Sequence, residues 1–296
     1  MLEGLLTEQR NPASRNIDAL PTEEILRIIN EQDREVADAV MKVIPAITMA
    51  VDAIVEAMNR GGRLLYIGAG TSGRLGVLDA AECPPTFNVD PEMVQAIMAG
   101  GEAAITRSTE ASEDSPEEGA AELVRRGFTS RDVLVGIAAS GRTPFVLGAV
   151  EKAKELGAVT VGISCTPESE LSAAVHIPIE PTPGPEVIAG STRMRAGTAT
   201  KMVLNMITTA AMIRLGHVFG NLMVNVQPKN EKLLDRARRI IAEAAEVGYP
   251  EASVLLEQSG RNVKTAIVMA RRRVSRQDAE RLLEAAHGRI SSALKT

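Results

Sequence analysis

The chain has 296 residues, room for one large domain or two smaller ones, and 45% of them are apolar, enough to bury a core of ordinary size. Aromatic residues make up 2%, with no Trp, and the net charge is −5. Neither an aromatic stacking platform nor a basic face for nucleic acid is available, although backbone N–H groups could still hold a small anion.

The two cysteines, Cys83 and Cys165, make no disulfide framework, and no Cys/His cluster has metal-ligand spacing. Neither a metal nor a cofactor is therefore expected. The N-terminus carries charges of both signs and no apolar run, so a signal peptide is not expected and the expected compartment is the cytoplasm.

In chain order, residues 1–20 are polar and irregular. From Thr22 to Asn59 apolar residues recur at helical spacing, first Ile25, Ile28, Ile29, Val36, Val40, Val43 and Ile44, then Ala50, Ile54, Val55 and Met58. Gly61 and Gly62 close the pattern as helix C-caps do. A repeated unit follows. Short apolar runs at 63–68, 94–99, 132–138, 158–163 and 175–179 read as strands, and helical patterns such as Thr143–Leu156 lie between several of them. Continuous apolar strands alternating with helices predict an α/β fold, a doubly wound parallel sheet of five strands covered on both faces. Ligands of such sheets sit at the carboxyl ends of the strands.

Pro181–Pro185 reads as a loop, and a long helix is expected over about 194–215. The most apolar stretch, Met202–Phe219, contains Asn205, Arg214 and His217, which suits a core helix better than a membrane span. From about Asn230 onward no strand signal remains, and three or four short helices are expected, with Arg271–Arg273 on a solvated face.

Two strand-to-helix junctions carry the chemistry. In the first, Gly68-Ala-Gly-Thr-Ser-Gly73, glycines permit a tight turn, Gly70 lets a ligand approach, and Thr71 and Ser72 add hydroxyls ahead of a helix N-terminus. The string also fits the dinucleotide pattern G-x-G-x-x-G. That pattern wants an acid closing the second strand, and Asp90, before Pro91, precedes the strand instead. The second junction, Ala139-Ser-Gly-Arg-Thr-Pro144, again offers hydroxyls, Ser140 and Thr143, around Gly141. Two such loops at neighbouring strand ends suggest one shared phosphate. Neither string ends in Gly-Lys-Ser/Thr, so neither is a P-loop.

Together these loops resemble the sugar isomerase (SIS) domain, whose members hold phosphosugars through a G-T-S loop and an S-x-S-G-x-T loop. Ser72, Ser140 and Thr143 match those positions, while Ala138 stands where the second motif begins with Ser. Six strings in order resemble the N-acetylmuramic acid 6-phosphate etherase family: Leu6–Ser14, Ile67–Leu75, Glu82–Pro85, Ala138–Pro144, Gly190–Ala199 and Asn221–Val226.

The resemblance implies an SIS-type sheet over 51–228, an N-terminal helical segment over 1–50 and a ubiquitin-associated-like helical domain over 229–296. It further implies a homodimer acting on a sugar phosphate, with Glu82 and Glu113 as the two active-site acids. Taken alone, Glu82 reads as a solvated helix-end carboxylate and Glu113 as part of an acidic surface run. Pro84 and Pro85 are expected to stop the helix that carries Glu82.

Glu186 either lines the pocket or places a favourable charge at a helix N-terminus. Ser191, Thr192 and Arg193 could reach substrate or the subunit interface, and Arg193 or Arg195 could meet a lactyl carboxylate or lie as solvated or interface charge. Lys201 is a candidate buried partner for a carboxylate. His176, His217 and Cys83 read as structural. A phosphosugar isomerase and a phosphosugar-sensing regulator are the other readings of this domain, and release of D-lactate would separate the etherase from both.

Overall fold

The computed structural model describes residues 6–107, 112–226 and 230–295. By packing, the chain divides into two compact units, Met1–Ala81 with Pro91–Thr208 and Glu82–Asp90 with Thr209–Thr296. This division follows contacts rather than chain order. The N-terminal helices belong with the sheet, and a short piece around Glu82 belongs with the C-terminal helices.

In the first unit, among the described residues, three short 3-10 turns precede α1 (Thr22–Lys42) and α2 (Ile44–Asn59). α1 opens with Glu23 and Glu24 at its positive end and buries the stripe Val36, Ala39 and Val40. Pro45 in the first turn of α2 marks the break between the two helical patterns. The strands are β1 (Leu64–Gly68), β2 (Val94–Met98), β3 (Val133–Ile137), β4 (Val159–Ile163) and β5 (Ile177–Ile179), all within the expected apolar runs. Between them lie α3 (Gly70–Phe87), α4 (Ala103–Thr106), α5 (Pro116–Arg125), α6 (Pro144–Glu155) and α7 (Glu170–Ala174), and α8 (Arg195–Arg214) follows β5.

The sheet is parallel throughout, in the order β2-β1-β3-β4-β5. Every residue of β1 and β3 is buried, the condition that makes parallel strands read as unbroken apolar runs. On one face Leu65, Ile67 and Leu134 pack with Phe145, Val146 and Ala149 of α6 and Leu123 of α5. Each fully buried Leu, Ile or Phe there contributes about 1.5–3 kcal/mol relative to exposure. Asp79 of α3 is buried and accepts hydrogen bonds from Tyr66 of β1 and from Asn205 and Thr208 of α8, tying three elements together.

The second unit holds α9 (Glu231–Ala245), α10 (Tyr249–Gln258), α11 (Val263–Arg272), α12 (Arg276–Ala285) and α13 (Ile290–Ala293). The described tail thus has five helices, not three or four. Side chains of Asn230, Asn262 and Ser275 cap three of them and set the breaks. Their shared core contains Ile241, Ala252, Leu256, Ile267, Ala279 and Ile290.

Within this unit, Asn225 donates to the carbonyl of Phe87 at 2.8 Å and meets Nδ1 of His217 at 2.7 Å. The amide therefore holds the last carbonyl of α3. Burial and nearby Lys264 push the His217 ring down to about 4, so it stays a neutral acceptor, consistent with a structural role.

Candidate active site

β1 and β3 are neighbours, and β1 pairs β2 on its other side. The chain therefore reverses direction across the sheet between β1 and β3, the switch point where open α/β sheets place ligands. Gly68 and Ile137 end these strands in register, so the loops after them leave the sheet at one level. They are the two Gly/Ser/Thr loops.

The first loop is tight. A Cβ on Gly73 would lie 2.6 Å from the Gly68 carbonyl oxygen, and one on Gly68 2.8 Å from the Gly73 nitrogen. Only glycine at both positions lets the first turn of α3 close onto β1. Gly70 opens the helix at φ 53°, and Thr71 and Ser72 are half-buried. In the second loop Ser140 and Thr143 are also half-buried. Thr143 is the N-cap of α6, yet its side chain makes no capping hydrogen bond, so its hydroxyl is not committed to the helix. Ala138, lacking the family's hydroxyl, is buried with its N–H bonded to Ile163. The N–H groups of Thr71 and Ser72 lie in the first turn of α3, where a helix supplies them no carbonyl, whereas those of Phe145 and Val146 at the start of α6 are bonded to the Glu113 and Thr143 carbonyls.

Glu113 links the two loops. Its carbonyl accepts from Phe145 N at 3.0 Å, in the first turn of α6. Its Oε1 lies 3.4 Å from where a Cβ on Gly70 would stand. The side chain is half-buried, not part of a solvated acidic run. Of that run, Thr109, Glu110 and Ala111 lie outside the described residues.

A third element reaches the first loop. A Cβ on Gly197 of α8 would meet the Thr71 methyl at 3.6 Å and the Thr192 carbonyl at 3.5 Å. Thr71 therefore stands beside the Ser191–Arg193 segment, in which Ser191 and Thr192 are half-buried and Arg193 is exposed. Gly70, Thr71, Glu113 and Thr192 form one neighbourhood.

Glu82 is exposed and belongs to the second unit. The proline pair does not stop its helix. α3 runs through Pro84 and Pro85 to Phe87 and ends where Asn88 turns left-handed, with Asn88 N bonded to the Pro84 carbonyl. Both prolines fall in the last turn, where each removes one N–H bond to the preceding turn without ending the helix.

Glu186 is buried, and its two carboxylate oxygens accept from Arg195 N and Ala196 N at 2.9 Å each. It anchors the first turn of α8. Arg195 is buried too, bonded to Glu35, Gln32 and the Pro185 carbonyl, so it is neither solvated nor turned to a ligand. Lys201 is exposed, which rules out the buried partnership expected for it. Burial pushes the Cys165 thiol up to about 12, leaving no thiolate nucleophile there. Cys83 is buried as packing. His176 is exposed and bonded through Nδ1 to Thr160. Among the described residues no cluster of three metal-ligating side chains occurs, and no helix is long and apolar enough to cross a membrane.

Burial raises the Glu186 carboxyl above its ordinary value of 4.5, against its two backbone donors and the charge of Arg195. A raised folded-state value stabilises the fold below the ordinary value, and that contribution fades as pH rises through the shifted one. Glu186→Gln is expected to cost about 1–3 kcal/mol, because an amide NH₂ replaces one acceptor. The stability gap between wild type and variant should narrow as pH rises from about 4. Thermal unfolding across that range reads it, and a constant gap counts against the assignment.

A model of the glucokinase regulatory protein N-terminal SIS domain matches residues 46–154. Among solved structures, the fold resembles that of a Bacteroides fragilis chain named as a phosphosugar isomerase involved in capsule formation. The two align with a TM-score of 0.51 and 20% identity, over 67% of this chain and 94% of that one. At that identity the likeness shows the fold alone. Curated relatives are much nearer. The N-acetylmuramic acid 6-phosphate etherase of Photorhabdus laumondii is 52% identical over 98% of this chain and 96% of its own. The enzyme of the same name from Geobacillus thermodenitrificans is 50% identical over the whole of both chains. With half its residues shared from end to end with such relatives, the chain belongs to the N-acetylmuramic acid 6-phosphate etherase family.

Proposed function

We propose that this enzyme is a carbon–oxygen lyase that converts N-acetylmuramic acid 6-phosphate and water to N-acetylglucosamine 6-phosphate and D-lactate. The observation that carries the reading is the full-length identity to etherases. The geometry supports it at the point the chemistry needs, with a half-buried carboxylate, Glu113, held between two anion-binding loops.

The 6-phosphate is received by the N–H groups of the two loops, with Gly70, Thr71, Ser72, Ser140, Gly141 and Thr143 around it. The ether to be broken is at C3. In the open-chain sugar the C1 aldehyde acidifies the C2 proton. Glu113 removes that proton, the electrons form the C2–C3 double bond, and the C3–O bond breaks. Glu82 gives a proton to the departing lactate oxygen. Water then adds at C3, and a proton returns to C2. The roles need one ionised and one protonated carboxyl. Ser191 and Arg193 contribute substrate contacts on the third side, and Glu186 supports them through α8.

Incubating the purified chain with N-acetylmuramic acid 6-phosphate and assaying free D-lactate tests the reading. Turnover without lactate, or binding without turnover, defeats it. A cytoplasmic homodimer completes the proposal, and light scattering that reports a monomer at assay concentration removes that part.

A further inference from the structure

The segment Leu6–Ser14, polar and irregular in sequence, folds as two short turns, Leu6–Glu8 and Pro12–Ser14, and buries Thr7, Asn11 and Ser14. Polar side chains are buried where they find hydrogen-bond partners. Asn11 and Ser14 find theirs on one stretch, the loop that runs from Pro185 into α8, while the Thr7 hydroxyl donates to Glu8 Oε1 at 3.5 Å.

Asn11 sits at the base of that loop. Its Nδ2 donates to the Pro185 carbonyl at 3.1 Å and to Gln32 Oε1 at 2.7 Å. Arg195 Nη1 donates to the same two acceptors, at 3.1 and 3.0 Å. The four groups close a ring that joins the start of the loop to its end. Ser14 holds the flank, with its hydroxyl donating to the Val187 carbonyl at 2.6 Å. Thr7 holds the tip, where its carbonyl accepts from Gly190 N at 3.0 Å. The segment therefore grips the loop at base, flank and tip, and Ser191 and Arg193 follow directly from the tip.

We propose that Leu6–Ser14 is a strap that sets the loop presenting Ser191 and Arg193, with Asn11 as its positioning residue. The inference rests on the reading of Ser191 and Arg193 as substrate contacts. Asn11 never touches substrate. It acts by closing the ring at the loop's base, and its Oδ1 separately caps the Pro12–Ser14 turn by accepting from Ala13 N at 2.9 Å.

Those two roles can be separated. Asn11→Asp keeps the acceptor toward Ala13 but loses both donors, whereas Asn11→Ala loses everything. Hydrogen exchange of the 187–194 backbone reads the grip directly, because Gly190 N–H is one of the held groups. Both variants are expected to exchange there about tenfold faster or more, with the sheet protected as before. Both should raise KM for N-acetylmuramic acid 6-phosphate about tenfold while kcat changes less than about threefold. If Asn11→Asp behaves as wild type, the turn cap was the whole role and the strap is refuted. Unchanged loop exchange in both refutes it too, and faster exchange with unaltered KM refutes the link to substrate. Should Asn11→Ala fail to fold, Ser14→Ala, which deletes one hydroxyl at the flank, carries the same expectations. Absence of D-lactate release by the unmutated chain would instead count against the etherase reading, and the exchange result would still decide whether the strap exists.

Discussion

Glu113→Gln is expected to stop exchange of the substrate's C2 proton with deuterated water, and Glu82→Gln to leave that exchange running while D-lactate release falls. A carboxamide keeps the shape of each side chain and removes its ability to carry a proton, so the pair separates placement from proton transfer. General acid or base catalysis contributes about 10²–10⁴-fold, and each variant should lose lactate release by that factor. The two differ in where the reaction stalls. Without the C2 base, no carbanion forms and the C2 proton stays in place. Without the acid, deprotonation remains reversible, deuterium enters C2, and the C3–O bond holds because lactate would have to leave as an alkoxide. The structure gives Glu113 the stronger case, since its carboxylate stands against Gly70 and its backbone is bonded to the first turn of α6. Proton NMR of the substrate in deuterated water, followed beside an enzymatic lactate assay, reads both. Full C2 exchange in Glu113→Gln sinks the base assignment, and full lactate release in Glu82→Gln sinks the acid.

The parts of this fold written in local sequence were legible, and the parts written in tertiary contacts were not. Strands buried on both faces must be apolar throughout, so β1 and β3 stand out as runs that end in Gly-containing turns. The two loops are legible too, because a tight strand-to-helix turn demands Gly in fixed places. Glu113 is the opposite case. Its neighbours Asp114, Glu117 and Glu118 hide it in a charged run, and only the fold shows that its carboxylate turns toward Gly70. Asn11, Ser14, Gln32 and Arg195 gave no pattern, since hydrogen bonds that span more than 150 positions have no period in sequence. The family resemblance marked Leu6–Ser14 and Asn221–Val226 without saying why. The structure answers for both: one segment grips the loop before α8, and the other, through Asn225, holds the last carbonyl of α3.

Gly141→Ala should be the most damaging small substitution in the second loop. Gly141 has φ +68°, and a Cβ built there would stand 2.2 Å from Ser169 Cβ and 2.3 Å from its Oγ. Left-handed backbone costs an L-residue about 1–2 kcal/mol. Forcing a methyl into packed space costs about 1–3 kcal/mol more. Ser169 cannot yield cheaply, because its hydroxyl accepts from Ser172 N to cap α7 and bonds Ser164 at 3.1 Å. The loop cannot yield cheaply either, since the Gly141 carbonyl accepts from Leu171 N at 2.9 Å. The expected loss is therefore about 2–5 kcal/mol, read from urea unfolding, with KM raised because Ser140 and Thr143 flank the displaced residue. A double-mutant cycle with Ser169→Gly separates the two causes. Removing the opposing Cβ should recover the collision and leave the backbone strain, so the double variant should be more stable than the two single losses sum to. Simple additivity would mean that Ser169 is not what Gly141 avoids. An Ala variant within about 0.5 kcal/mol of wild type, inside the scatter of ordinary surface substitutions, would mean that the second loop does not hold this shape in solution.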